Sequence, residues 1–150
     1  MPHRLHRIPI LAALIVAVGG AGGLARVTAS AAYRGRTAQG IAVRLGPAGR
    51  DGRAFRYRAR MRCSDRSTFL DAYFTDYVRV RRGHFDSRVR SPGAVKTTVT
   101  GRLLGTTARG TIRIVEHYSE LPDANGDTPL APDGAIVCDS GVVRWRASAS

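Results

Sequence analysis

The sequence predicts an all-β fold, an antiparallel sandwich or small barrel of about seven or eight strands preceded by a signal-peptide helix. Three observations lead there. Residues Ala54 to Cys63 alternate with a period of two, placing Phe55, Tyr57, Ala59, Met61 and Cys63 on one side and Arg56, Arg58, Arg60 and Arg62 on the other. Such alternation belongs to a strand with one face in a core and one in water. Several other segments repeat the pattern between clusters of turn residues. Beyond the N-terminus, no stretch carries the 3.6-residue apolar period of an amphipathic helix.

In chain order, the N-terminus comes first. Arg4 and Arg7 precede an uncharged run from Ile8 to Ala25, Arg26 closes it, and Ala29 and Ala31 occupy the small-residue positions of a signal-peptidase site. We expect residues 1–31 to be a signal peptide cleaved after Ala31, with cleavage after Ala32 as the near alternative. Eighteen uncharged residues are also about the minimum for a membrane anchor. Gly19, Gly20, Gly22 and Gly23 weaken that run as a helix, so cleavage is the expectation and no membrane span would remain. Cleavage removes three arginines and no acid, taking the formal charge from +13 to +10 over 119 residues. Residues 32–150 then form one secreted or envelope-associated β domain, long enough to bury about two-thirds of its unfolded surface.

Strand signals follow at Ile41, Val43 and Leu45, then at 54–63 after the Gly46–Gly52 turn, and at Val78 and Val80. Arg82-Gly83 reads as a hairpin turn, Ser91-Pro92-Gly93 as a break, and Gly105-Thr106-Thr107 as the divider between a strand at 95–104 and one at 108–119. The Ser119–Gly134 segment has four acids and no base, the composition of a long surface loop. Ala135–Cys138 and Val142–Ala147 then read as a final hairpin. Cys63 and Cys138 are the two cysteines, and an even pair in an exported chain reads as a disulfide. Closing their 76-residue loop is worth about 4–5 kcal/mol in the chain-entropy description. Two buried free thiols are the alternative. A metal site has less support, because His84 and His117 are the only histidines outside the signal.

At this point the chain resembles a group of small secreted β domains, of unknown function, found in high-GC Gram-positive and related bacteria. The resemblance rests on Gly35-Arg36-Thr37-Ala38-Gln39-Gly40, Arg62-Cys63-Ser64-Asp65, His84-Phe85, Val99-Thr100-Gly101, Ala108-Arg109-Gly110-Thr111 and Cys138-Asp139-Ser140-Gly141 followed by Val143-Arg144-Trp145. It implies a secreted all-β fold with paired cysteines and carries over no catalytic residue. The acidic 119–134 loop is longer than the pattern implies.

Of the candidate sites, the row Arg56, Arg58, Arg60 and Arg62 comes first. Alternate strand residues lie about 6.6 Å apart, so these guanidinium groups would form a comb for a polyanion, since arginine grips phosphate and carboxylate bidentately. An anionic surface polymer or lipid headgroup is the expected partner; sequence-specific nucleic-acid recognition is not, because no helix-turn-helix, zinc-finger or RNP-type motif is present. A solvated strand face is the competing reading. Of the 24 basic residues, 23 are arginine, a skew that GC-rich coding explains. Coding bias does not explain the excess of 21 bases over 11 acids beyond the signal.

A weaker candidate is a calcium loop at Asp123, Asn125, Asp127 and Asp133, whose spacing begins like an EF-hand and then lacks its glycine and glutamate. An Asn-Gly turn is the expected reading. No cofactor is implied and no catalytic set is found: Glu116 and His117 should face opposite ways on a strand, His84 reads as an exposed turn residue, and Asp65, Asp71 and Asp76 are expected to pair with arginines of neighbouring strands. Phe69, Tyr73, Tyr77 and Trp145 are expected in the core. Together these readings predict a non-enzymatic secreted β module that binds anionic surface material through an arginine-rich face. The alternative is a small-molecule or inhibitor-type binder using a barrel cavity or the 119–134 loop.

Overall fold

A computed structural model describes residues 31–71, 74–91, 94–120, 130–131 and 133–150. These residues form eleven strands and no helix. In chain order the strands are β1 (Tyr33–Thr37), β2 (Ala42–Leu45), β3 (Arg53–Tyr57), β4 (Arg60–Cys63), β5 (Thr68–Leu70), β6 (Phe74–Val78), β7 (His84–Ser91), β8 (Val95–Leu104), β9 (Thr107–Tyr118), β10 (Ile136–Asp139) and β11 (Val143–Ala149). Every pairing is antiparallel, and all eleven strands belong to one sheet whose main path runs β5-β4-β10-β9-β11-β1-β2-β3-β6. Strand β8 joins β9 and carries β7 at its outer edge. The ladder does not close. β6 and β7 lie side by side without backbone pairing.

The strand count exceeds the seven or eight expected because the 54–63 run divides into β3 and β4, and because β1 and the short β5 add strands where no strand signal was read. The 54–63 run alternates as predicted, with Phe55, Tyr57, Ala59 and Met61 fully buried. It breaks at Arg58-Ala59, so that β3 pairs with β2 and β6 while β4 pairs with β5 and β10. The C-terminal segment does the same, and this corrects the final hairpin. Strands β10 and β11 do not pair with each other; they lie end to end along one edge of β9, opposite 115–118 and 107–112 respectively. A twelve-residue β9 is long enough to accommodate both, and Ser140-Gly141 forms a jog instead of a turn. Ser140 N and Oγ bond the carbonyl and N–H of Ile114, holding the jog to β9.

Between these two bent strands sits the β1–β2 hairpin. Past its tip they meet, β4 pairs with β10, and Cys63 stands directly opposite Cys138 in a disulfide. Gln39, in the hairpin turn, seals the fork: its side-chain amide accepts from Arg60 N at 2.8 Å and donates to Arg60 O at 3.2 Å. Thr37 Oγ1 in turn accepts from Gln39 N and Ile41 N, fixing the turn that presents Gln39.

The core lies inside this curled sheet. Trp145, Tyr33, Tyr57, Tyr118, Phe55, Leu45 and Met61 are its largest fully buried side chains. Phe55 meets Trp145 and Tyr57 at centroid distances of 4.9 Å and 5.2 Å. Of the other aromatics expected inside, Phe69 packs edge-on against Tyr118, Tyr77 is 67% exposed, and Tyr73 lies outside the described residues. Tyr77 turns outward because β6 alternates, and its inward positions are taken by Asp76 and Val78. The Arg82-Gly83 turn forms as expected, with φ of 49° and 78°, the left-handed pair of a two-residue hairpin.

Candidate functional site

Eleven acids face twenty-four lysines and arginines in this chain, and the fold separates them further. Asp71, Asp76 and Glu116 are buried. The expectation that Asp65, Asp71 and Asp76 pair with arginines of neighbouring strands is corrected for Asp65, whose partner is Ser67 in its own turn, and for Asp76, whose carboxylate accepts the Tyr57 hydroxyl at 3.0 Å and bonds Ser87 across the unpaired β6/β7 seam. Burial pushes its carboxyl above the ordinary aspartate range, against those two hydrogen bonds. Glu116 is likewise raised by burial and accepts the Tyr118 hydroxyl at 2.6 Å. Both tyrosines are held neutral, each by its own desolvation and then by the neighbouring carboxylate. Asp65 bonds Ser67 in its own turn, and Asp139 is held low by the Arg113 guanidinium, 2.7 Å away.

Most of the described arginines face out, Arg53 being buried. The predicted row divides at the β3/β4 break. Arg58 is half-buried and donates to the carbonyls of Asp71 and Leu70. Arg60 adjoins the Gln39 seal, and Arg62 stands opposite Asp139 in the β4–β10 register. Arg56 belongs to a different neighbourhood: it pairs in register with Arg44 on β2, which pairs with Arg34 on β1.

The larger cluster runs across the strands. Arg36 on β1 is directly opposite Arg146 on β11, Arg146 is opposite Arg109 on β9, and Arg109 is opposite Arg102 on β8, whose other neighbour is His84 on β7. All of these side chains are exposed. At a strand spacing of about 4.8 Å, four arginines stand within about 14 Å. Arg34 and Arg36 lie two residues apart on β1, which joins this row to the Arg34–Arg44–Arg56 row. Arg144 flanks it on β11. Among the described residues none of these eight arginines pairs with a carboxylate.

Like charges directly opposite on neighbouring strands destabilise a sheet, and here three successive strand pairs carry them. The signal for this face was present in sequence as arginines bracketing core residues, in Arg34-Gly35-Arg36 and Arg144-Trp145-Arg146. Alternation fixes which face each occupies. It does not fix register, and register is what aligns them.

At one end the face becomes concave. A groove of ≈ 930 Å³ runs between the β6–β7 connection and β11, across β8 and β9. Gly101 and Gly110 are register partners in its floor, flanked by Phe85 and Trp145. A side chain on Gly101 would collide with the Phe85 ring, and one on Gly110 with the β8 backbone at Thr100. Phe85 and Trp145 instead close over the glycine pair from the core side, ring centroids 6.1 Å apart, and the Trp145 indole N–H donates to Thr100 O at 3.2 Å.

The remaining candidates are placed as follows. Asp133 is exposed, and Asp123, Asn125 and Asp127 lie outside the described residues. Among the described residues no cluster of His, Cys, Asp and Glu is arranged to hold a metal. Glu116 is buried while His117 is half-buried on the opposite face, as strand parity requires. No family model matches the chain, and no curated protein or solved structure matches it.

Proposed function

We propose that this chain is an exported, non-enzymatic β module that holds anionic polymer of the cell envelope on the outer face of its sheet. The site is the arginine face on β1, β2, β3, β8, β9 and β11. The single observation that carries the reading is the unbroken Arg36–Arg146–Arg109–Arg102 row, four guanidinium groups in direct cross-strand register with no acid among them. A merely solvated face has no reason to align like charges, because alternating or staggered signs lower its energy. A bound polyanion reverses that sign: each guanidinium then gains a charge-assisted, bidentate partner.

Export is supported by the signal-like N-terminus, by the resemblance to secreted β domains, and by a disulfide, which persists in oxidising compartments. A strand face is a rigid platform that sets guanidinium spacing in two directions, about 4.8 Å across strands and about 6.6 Å along them. Such a lattice reads charge density rather than sequence. Binding is therefore expected to be salt-sensitive and tolerant of polymer chemistry.

Retention on phosphocellulose tests the site. Changing Arg36, Arg102, Arg109 and Arg146 to Gln is expected to bring elution to markedly lower salt than an equal-charge variant with Arg50, Arg66, Arg88 and Arg90 changed to Gln. Equal shifts in the two variants would reduce the row to its share of net charge and overturn the reading.

A further inference from the structure

We infer that the groove at the end of the arginine face is a built seat for a compact cluster of phosphate groups, such as two or three linked phosphates, larger and lined by more arginines than the Arg34–Arg44–Arg56 strip beside it. The inference rests on the polyanion reading and deepens it by naming the anion class and the place where it is held most tightly.

Register places the inward-facing Gly101–Gly110 pair between Phe85 on β7 and Trp145 on β11. At Gly101 and Gly110 no side chain is present to hold the strands out, and the flanking Phe85 and Trp145 rings fill the space beneath. The floor is therefore backbone, and the walls are whatever the neighbouring outward positions supply.

Those positions supply guanidinium groups from four directions. Arg79 and Arg81 come from the β6–β7 connection, Arg102 from β8, Arg109 from β9, and Arg144 and Arg146 from β11. His84 adds an imidazole whose Nδ1 lies 3.0 Å from Arg82 O, a contact that orients the ring. Asp86 is the one carboxylate in the lining. Six cations against one anion leave a strong local excess that a single carboxylate ligand would not match. Linked phosphates carry several charges in a small volume, and their tetrahedral oxygens accept from several planar forks at once. The Arg34–Arg44–Arg56 strip lines a smaller pocket of ≈ 300 Å³ and supplies three arginines to it, half the number that line the groove. The groove also offers no exposed Phe, Tyr or Trp ring, since Phe85 and Trp145 are buried, so it lacks the broad stacking platform by which single-stranded nucleic acids are held.

Calorimetric titration with inorganic tripolyphosphate tests the seat, with a salt-elution profile on heparin run for each protein. Three proteins are compared: the unaltered chain, Arg102→Gln with Arg109→Gln in the groove, and Arg44→Gln with Arg56→Gln in the strip. All six wall residues and both strip residues are exposed, and circular dichroism confirms that each variant is folded before titration. The unaltered chain is expected to bind tripolyphosphate with one-to-one stoichiometry. The groove variant should lose about tenfold or more in affinity, the loss expected for two charge-assisted contacts, and the strip variant should keep it. Equal losses in both variants, or no saturable binding, would overturn the seat. Failure of the wider polyanion reading shows separately: heparin elution would then be unchanged in both variants, whatever tripolyphosphate does.

Discussion

Arg109 stands between Arg102 and Arg146 with no acid beside it, so the unliganded protein carries the full cost of that juxtaposition. Arg109→Gln is expected to raise the thermal midpoint by about 1–4 °C while weakening polyanion retention, and calorimetry alongside elution checks both. Loss of stability on that change would mean that the guanidinium already has a partner in the folded chain. Asp76 presents the opposite case, a carboxylate taken out of water. Because burial raises its pKa, the folded state holds its proton more tightly than the unfolded chain does. Its contribution to stability is complete below the ordinary carboxyl range and fades as pH climbs through the raised value. Glu116 adds a dependence of the same sign. Asp139, held low by Arg113, adds one of opposite sign, lost as pH falls. Asp76→Asn should therefore flatten the decline of stability as pH rises above the ordinary carboxyl range, seen in urea midpoints. Asp76→Ala should cost about 1–3 kcal/mol by stranding the buried Tyr57 hydroxyl. At this scale the sequence was readable for direction: the in/out order of residues 55–63 follows from parity alone. Parity says nothing of partnership: composition points Asp76 to arginines, and the fold supplies Tyr57 and Ser87.

Two elements determine where the face bends and where it is locked. The Gly101–Gly110 pair lets the sheet sink over Phe85 and Trp145, and Gly101→Ala is expected to cost about 1–3 kcal/mol by overpacking against the Phe85 ring. Denaturant unfolding measures it, and an unchanged midpoint would show that the ring moves aside freely. The β4–β10 pairing is the lock. Replacing Cys63 and Cys138 together with Ser is expected to lower stability by about 2–5 kcal/mol, with dithiothreitol treatment of the unaltered chain giving the same shift. The cysteine pairing and the Arg82-Gly83 turn were legible because each is local or arithmetically forced. The final hairpin was misread for a physical reason: Asp139-Ser140-Gly141 has turn composition, and nothing in those residues reveals that β9 is long enough to seat both flanking strands on one edge. The β3/β4 break was hidden likewise, since alternation continues through Arg58 and Ala59 while the hydrogen-bonding partner changes.

Over the described residues, Asp71, Asp76 and Glu116 are buried while most arginines are exposed, and the sheet order gathers arginines from six strands that are scattered from residue 34 to residue 146. Net charge was visible in the composition. Its concentration was not, because it depends on register. Export has its own check: mass spectrometry of the secreted protein should find Ala32 at the N-terminus, and a retained Arg26 would contradict the signal reading. Whether the cross-strand arginine row binds polyanion is decided by heparin affinity measured across a range of salt concentrations. Changing Arg36, Arg102, Arg109 and Arg146 to Gln should weaken binding and flatten the dependence of log affinity on log salt, because counterions released at those four sites no longer contribute. An unchanged slope with unchanged affinity would place the binding elsewhere and contradict the account.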